Sequence, residues 1–304
     1  MKTKTISKGR TVIKEQGWRT LVIESDCDLS LRSNCVLISG VDVTETEIPI
    51  SQIKSVIVAS QMVNVSTALL TALGKSNVSV LLCDEKYNPA FELSSLSHNF
   101  SCAGRVFEQI SWNDDEKSEV WKSIVELKIQ KQIDVLKLLS IEVPEKLTEY
   151  LNSVQPFDCT NREGQASRVY FKALFGNGFL RHTTDDVNSA LNYGYALILA
   201  SFNRTLTIHG YNTAIGIKHC NKNNRFNLSC DLMEPFRPFV DLIVAQFEDS
   251  EFTKDSKRIL IESLHNKISY NGKTFSLTDA IEQYTLDLLK FFENSDFLVK
   301  ELIF

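Results

Sequence analysis

The sequence lacks the cysteine spacing of a disulfide framework or a zinc ribbon. Its seven cysteines are odd in number, and none stands in a Cys-x-x-Cys pair. Paired cysteines at short, regular spacing are typical of small secreted domains and of structural zinc sites. The cysteines are therefore predicted to be reduced thiols of a cytosolic protein.

Long apolar runs are missing as well. No window approaches about 18 consecutive apolar residues, and no apolar core follows the first lysines, so the pattern of a membrane span or a signal peptide is absent. These features predict a cytoplasmic protein with no membrane partner. The formal net charge of −5 disfavours unspecific coating of nucleic acid. A DNA-handling role would require basic residues concentrated on one face, or a basic partner.

The composition predicts a globular chain large enough for two cores. It has 304 residues, of which 43% are hydrophobic and 23% charged, and it contains no internal repeat or low-complexity tract. The predicted fold class is α+β, with a small N-terminal β-rich domain at residues 17–96 and a larger all-α domain at residues 97–304. Residues 1–16 precede them as a basic extension.

The N-terminal region changes character near Trp18. Residues 1–14 contain five basic residues and no acidic one, which predicts a mobile arm that adds phosphate contacts. Short β-type runs then follow to about residue 95, punctuated by glycine, asparagine and proline. Between the third and fourth runs, STALLTALGKS predicts a short helix with Ser66 as its cap.

Helical periodicity begins after His98. A broad apolar stripe predicts a long helix from Ser118, and residues 185–206 are predicted to form a core helix in which Tyr193, Gly194 and Tyr195 serve packing. Further helices are expected near 257–269 and from 276 to about 293. Asn271-Gly272 between them predicts a small hairpin.

Candidate chemistry is concentrated in residues 216–241, GIKHCNKNNRFNLSCDLMEPFRPFVD. His219 follows a glycine, and Asp231 and Glu234 stand at i,i+3, so that their carboxylates share one side of a helical turn. Such a set can hold a divalent cation. The basic residues around it, which could receive a polyanion, are Lys218, Lys222, Arg225 and Arg237.

The three candidate acids also have a structural interpretation as helix caps. Asp231 and Glu234 match the N-cap and N3 positions of a helix start, although the apolar neighbours favour a buried acid with a partner. Glu163 lies on the apolar face of its helix with Tyr170 and Leu174, which suits a ligand, yet Thr160-x-x-Glu163 also fits a capping box. Clustered acids on apolar faces further predict that at least one of their pKa values is raised.

The sequence resembles a known family in four blocks. NREGQASRVYFKALFG, DDVNSALNYGYALI, GIKH and DLMEPFRPFVD are similar to the type II form of CRISPR-associated protein one, the integrase that inserts new spacers. The similarity extends roughly over residues 17–292. It implies that Glu163, His219 and Glu234 are the metal ligands, with Asp231 beside the metal or directly behind its ligands. The third ligand is Glu where other branches of the family have Asp.

The resemblance also implies an activity and partners. A site of two carboxylates and one imidazole would bind Mg²⁺ or Mn²⁺ and join 3′-hydroxyl ends of spacer DNA to the CRISPR repeat by transesterification. With water as the nucleophile, the same site would act as an endonuclease. Residues 17–96 would support a homodimer, residues 97–304 would be catalytic, and the small second CRISPR-associated adaptation protein would bridge two dimers on double-stranded DNA.

Two other functions remain open from the residues alone. One is a stand-alone metal-dependent DNA nuclease that cleaves without joining. The other is a non-enzymatic helical scaffold, in which Glu163, Asp231 and Glu234 only cap helices.

Overall fold

The computed structural model describes residues 4–7, 10–11, 19–41, 43–85, 89–93, 102–247, 251–294 and 301–304. The chain separates into two compact units, Met1–Phe100 and Ser101–Phe304. The predicted α+β class is confirmed, because the first unit consists mostly of strands and the second mostly of helices. Within the described ranges, no helix has the length and apolar character needed to cross a membrane.

The first unit combines short strands with one helix. In chain order its elements are β1 Lys4–Ser7, β2 Arg10–Thr11, β3 Arg19–Ile23, β4 Cys27–Arg32, β5 Cys35–Gly40, β6 Val43–Pro49, β7 Ile53–Val58, β8 Val63–Val65, α1 Thr67–Lys75, β9 Ser79–Cys83 and β10 Pro89–Leu93.

These strands form two sheets. One has the order β10-β9-β7-β3-β1-β2 and the other the order β6-β5-β4-β8. In the larger sheet β7 lies between the parallel strands β3 and β9. Almost all of its residues are buried, as expected for a strand covered on both faces. Helix α1 packs Leu69 and Leu73 into the core of this unit, and Ser66 caps it as predicted by accepting from the Leu69 amide.

Part of the predicted N-terminal arm belongs to the larger sheet. Strand β1 pairs with β3 in parallel, and β2 pairs with β1 in an antiparallel arrangement. The expectation of a mobile arm is therefore corrected for residues 4–7 and 10–11, because ladder hydrogen bonds fix their backbone. The other residues of the predicted arm lie outside the described residues.

The second unit is a helical assembly with one small sheet. Its elements are α2 Cys102–Ser111, α3 Asp114–Leu138, α4 Glu145–Leu151, α5 Arg162–Phe175, α6 Asp186–Ile208, α7 Asn227–Met233, α8 Arg237–Val244, α9 Lys254–Ser263, β11 Lys267–Tyr270, β12 Lys273–Ser276, α10 Leu277–Leu289, α11 Phe291–Asn294 and β13 Leu302–Ile303.

Helix α3 lies at the centre of this unit and packs against α4, α5 and α8. It begins at Asp114, before the predicted start at Ser118, because Asn113 and Glu116 form a capping box that lies upstream of the apolar stripe. Its buried face carries polar as well as apolar side chains, among them Lys128 and Gln132. These polar groups reach the site described below.

The later elements match the predicted pattern with one exception. Helix α6 covers the predicted core helix, and Asn271 and Gly272 adopt the positive φ values of the predicted hairpin turn between β11 and β12. The predicted helix at 257–269 is wrong in its second half, since α9 ends at Ser263 and β11 follows. Strand β11 is the central strand of a three-stranded sheet with β12 and β13, and its buried Ile268 and Tyr270 alternate with more exposed residues, the period-2 pattern of a strand.

Gly194 marks a close contact between α6 and α8. A Cβ atom at this position would lie 2.4 Å from Val240 Cγ1, so Gly194→Ala would overpack the contact. We expect the free energy of unfolding to fall by about 1–3 kcal/mol, measured by urea denaturation.

Gly104→Ala in α2 is the matched control, because its Cβ would meet nothing within 4 Å. That change should instead raise stability by about 0.5–1 kcal/mol. Equal effects of the two substitutions would contradict the close contact.

Candidate active site

The predicted ligands meet at one cleft of the second unit. This cleft has a volume of about 680 Å³, and its lining includes Glu163, His219 and Glu234 together with Lys128 and Arg237. The side chains come from α3, from the start of α5, from the loop before α7 and from the turn between α7 and α8. Positions that are far apart in the sequence are therefore brought together by helix packing.

Glu163 does not cap its own helix. Helix α5 begins at Arg162, and the carboxylate of Asp158 accepts hydrogen bonds from the amides of Arg162 and Glu163, at 2.7 and 3.0 Å. The proposed Thr160–Glu163 capping box is thus wrong, because Asp158 supplies the cap. The Glu163 carboxylate instead pairs with the ammonium group of Lys128.

Asp231 and Glu234 do not start a helix either. Asp231 lies inside α7, and Glu234 opens the 3₁₀ turn Glu234–Phe236 that follows it. The N-cap interpretation of this pair is therefore wrong. An Asp-x-x-Glu pattern looks the same at the start of a helix and inside one. Here the helix has already begun at Asn227, one turn before Asp231.

The fully buried carboxylate of Asp231 holds the loop that carries His219. It accepts hydrogen bonds from the backbone amides of Ile217, Lys218 and His219, at 2.6, 3.0 and 3.1 Å. A carboxylate that receives several amide donors is satisfied without a counter-ion. Gly216 permits the close approach, since a Cβ there would lie 2.3 Å from the His219 carbonyl oxygen and 2.8 Å from Asp231 Oδ2.

The same carboxylate orients the His219 ring. Asp231 Oδ1 lies 2.5 Å from His219 Nδ1, and the edge of the ring meets Trp121 with centroids 5.9 Å apart. This hydrogen bond raises the pKa of His219. Because Nδ1 is engaged by Asp231, Nε2 is the ring nitrogen able to ligate a metal ion.

Lys128 is the residue of this site that sequence reasoning missed. It is only 6% exposed, and its Nζ contacts both Glu163 Oε1 and Glu234 Oε2, the latter at 2.5 Å. Burial alone would lower the pKa of Lys128, but the charges of Glu234 and Glu163 outweigh it and the pKa is raised. Lys128 is therefore an ammonium cation held between two predicted metal ligands.

Glu234 also faces a second cation. Arg237 Nε lies 3.0 Å from Glu234 Oε1. Burial would raise the pKa of Glu234, yet Arg237 and Lys128 together lower it. The expectation of a raised pKa from mutual repulsion is wrong for this carboxylate, because the sequence argument did not include Lys128.

In these rotamers each predicted ligand is engaged by a protein partner. Glu163 and Glu234 contact Lys128, and His219 contacts Asp231. Across the part of the chain that the structure describes, no three side chains of His, Cys, Asp or Glu are grouped closely enough to hold a metal ion. A shared coordination sphere for Glu163, His219 and Glu234 stays a prediction.

The predicted DNA-binding cations occupy different environments. Arg237 lines the cleft and stacks on the Tyr195 ring at 4.8 Å. Lys218 donates to the Phe157 carbonyl oxygen at 2.8 Å, and Lys222 and Arg225 are exposed on the loop before α7. None of these three is among the residues that line the described cleft.

Other basic side chains form one wall of the cleft. They belong to α5 and the segment after it, where residues 164–184 contain no acidic residue. The basic residues of this wall that line the cleft are Arg168, Lys172, Arg181 and His182. The absence of acids between Glu163 and Asp185 is a signal that the sequence contains and that could have identified this wall.

A further acid lies at the back of the cleft. Asp241 is buried and accepts a hydrogen bond from the Tyr195 hydroxyl at 2.5 Å. Burial raises the pKa of Asp241 to about 7, so this carboxyl group carries only part of a negative charge at neutral pH. Tyr195, expected to serve packing alone, thus contacts polar groups of the site.

Two carboxylates, an oriented imidazole and a basic wall in one cleft are suited to metal-assisted chemistry at a phosphodiester. The chain belongs to the Cas1 family of CRISPR-associated endonucleases and integrases, since the family model described as CRISPR associated protein Cas1 matches residues 20–267. It is 34% identical over 272 residues to the CRISPR-associated endonuclease Cas1 of Neisseria meningitidis serogroup C, covering 88% of this chain and 89% of that relative. The resemblance found in the four sequence blocks is confirmed.

Solved structures share the fold at low sequence identity. A casposase bound to its integration product has a TM-score of 0.74 and 18% identity, covering 94% of this chain and 96% of that chain. A Cas6-RT-Cas1–Cas2 complex has a TM-score of 0.70 and 16% identity, covering 97% of this chain and 37% of that chain. At these identities the likeness concerns the fold.

Proposed function

We propose that this protein is the metal-dependent DNA integrase of CRISPR adaptation, with Glu163, His219 and Glu234 as its metal ligands. It would join 3′-hydroxyl ends of spacer DNA to the CRISPR repeat by transesterification. The observation that carries this proposal is the joint contact of Glu163 and Glu234, from two different elements, with one buried cationic group. His219 lines the same cleft.

The donor set fits Mg²⁺ or Mn²⁺. Carboxylate oxygens are the ligands that both ions prefer, and one imidazole nitrogen is compatible with Mn²⁺ and tolerated by Mg²⁺. Two carboxylates that together stabilise an ammonium group can also stabilise a divalent ion. When bound, the ion would supply charge stabilisation at a phosphodiester oxygen and favour deprotonation of the attacking hydroxyl.

The protein's own side chains would bind and orient the DNA. Asp231 engages His219 Nδ1, which leaves Nε2 as the ring nitrogen available to a ligand. Arg237 and the basic wall would bind phosphate oxygens, because the wall lies on the same cleft and contributes no acid between residues 164 and 184. Lys218, Lys222 and Arg225 would contact the duplex farther from the reacting phosphate.

The proposed integrase function also implies DNA and protein partners. The negative overall charge means that DNA binding would depend on the basic residues collected along the cleft or on a basic partner. Support comes from the fold shared with a complex that contains Cas2 and with a casposase bound to its integration product. We propose a homodimer that acts on double-stranded DNA together with the small second adaptation protein in the cytoplasm.

A strand-joining assay tests the activity. The protein and the small adaptation protein are incubated with a labelled 3′-hydroxyl duplex and a supercoiled plasmid that carries the repeat. An integrase transfers label to the plasmid, a stand-alone nuclease nicks the plasmid without transferring label, and a helical scaffold does neither.

Metal binding should be visible as stabilisation. Mn²⁺ at about 100 times its dissociation constant should raise the free energy of unfolding by about 2.7 kcal/mol. Glu163→Ala should abolish this gain, because one of the two carboxylates is lost. Denaturant titrations with Mn²⁺ and with EDTA measure the effect. An equal Mn²⁺ gain in wild type and Glu163→Ala would show that the ion binds elsewhere.

A further inference from the structure

Lys128 contacts one oxygen of each of the two carboxylates that would hold the proposed metal ion. Its Nζ contacts Glu163 Oε1 and Glu234 Oε2, while Glu234 Oε1 faces Arg237. The lysine is carried by the middle of α3, the central helix of the second unit, and its side chain is 7% exposed. This position is therefore built by the packing of the unit and is not a chance contact of a surface side chain.

An ammonium group and a divalent ion would compete for these two carboxylates. Like charges within a few ångströms repel strongly where water is largely excluded, and each carboxylate would lose a charge-assisted hydrogen bond when its oxygen turns to the metal. Without either cation, Glu163 would lose its charged partner and the buried Glu234 would keep only Arg237, so two neighbouring acids would be incompletely neutralised, which is costly away from water.

We propose that Lys128 is a built-in competitor of the metal ion and a positioning residue for its ligands. The ammonium holds Glu163 and Glu234 together before an ion binds, and the ion must displace it. Lysine suits this role because its flexible four-carbon stem lets the ammonium move without moving the helix. This inference rests on the proposed function, because it assumes the same metal ligands.

Metal affinity of a lysine variant tests the competition. Lys128→Met keeps the length of the side chain and removes its charge, so it should bind Mn²⁺ more tightly by about tenfold or more, since each hydrogen bond between charged groups is worth about that factor. Its melting temperature without metal should fall, because the two carboxylates lose their shared partner. Isothermal titration calorimetry gives the dissociation constant, and thermal unfolding in EDTA gives the melting temperature.

Lys131→Met is the matched control. Lys131 is also a buried lysine of α3, but it pairs with Asp134 and with the Leu302 carbonyl oxygen. Its substitution should lower the melting temperature and leave the Mn²⁺ dissociation constant within about twofold of wild type. A Lys128→Met protein that binds Mn²⁺ no more tightly than wild type would overturn the proposal.

A second measurement uses the wild-type protein and does not depend on a variant that folds. Acetic anhydride labelling followed by peptide mass spectrometry reports the accessibility of each lysine amine. Lys128 should resist acetylation in EDTA and become reactive in saturating Mn²⁺, while Lys131 stays protected in both. Protection of Lys128 that is unchanged by bound Mn²⁺ would refute displacement and leave the metal site standing. A wild-type protein that binds no Mn²⁺ would refute the metal site and the competition together.

Discussion

Glu234→Gln is expected to reduce strand joining by about 10²–10³-fold or more. The substitution keeps the volume of the side chain and removes the charge of the carboxylate that faces both Lys128 and Arg237. The charge of that carboxylate would hold the metal ion, and removing one group that stabilises transition-state charge typically costs a factor of this size. The measurement is the rate of label transfer to the plasmid under single-turnover conditions.

Glu149→Gln is the control for this experiment. Glu149 is exposed on α4, outside the residues that line the cleft, so its substitution should leave the joining rate unchanged. Circular dichroism and gel filtration would establish that both variants are folded. Joining by Glu234→Gln at a rate within tenfold of wild type would remove Glu234 from the ligand set.

Asp231→Ala should produce the largest loss of stability. Asp231 accepts hydrogen bonds from the amides of residues 217–219 and from the His219 ring. Without the carboxylate, the buried amide of Ile217 and the part-buried amides of Lys218 and His219 lose their acceptor, and each donor left unsatisfied away from water costs about 1–3 kcal/mol. We expect the free energy of unfolding to fall by about 3–5 kcal/mol, measured by urea denaturation. Joining should be lost as well, because the loop no longer holds His219.

Asp231→Asn separates charge from hydrogen bonding. An asparagine oxygen can still accept from the loop, but its amide group places donors opposite donors, so the loss of stability should lie between those of wild type and Asp231→Ala. Exposed Glu149→Ala should change stability by no more than about 0.5 kcal/mol. If Asp231→Ala costs less than about 1 kcal/mol, the loop is held by other contacts and Asp231 is not its anchor.

Several features of the site could be predicted because they depend on local sequence patterns. Glu163 can be recognised as a candidate ligand because it lies on the apolar face of α5, together with buried Tyr170. His219, Asp231 and Glu234 were found because acids and a histidine stand among apolar residues in a short stretch. Which of these acids ligate and which support could not be decided locally, since the start of α7 at Asn227 depends on tertiary packing.

The role of Lys128 could not be predicted from the sequence. In KIQKQ, lysines alternate with apolar and amide residues and resemble the solvated side of an amphipathic helix. A signal was present, because at 100° per residue Lys128 falls on the side of Trp121, Val125 and Gln132, which are buried. Its role nevertheless depends on two acids from other elements, and no local pattern contains that information.

The hydrogen bonds between Asp231 and the loop before α7 have a consequence for protein engineering. The loop is fixed at residues 217–219 by Asp231, and Asn227 donates to the carbonyl oxygens of Ala214 and Asn221 at 3.0 Å each. Lys222 and Asn223, at the tip, are exposed and stand outside these anchors. Extra residues between Lys222 and Asn223 would open only the turn in which Asn221 accepts from the amides of Asn223 and Asn224, and they would extend into solvent without shifting His219. Because Lys222 is proposed to contact DNA, a fluorescent reporter attached at this junction would respond to DNA binding.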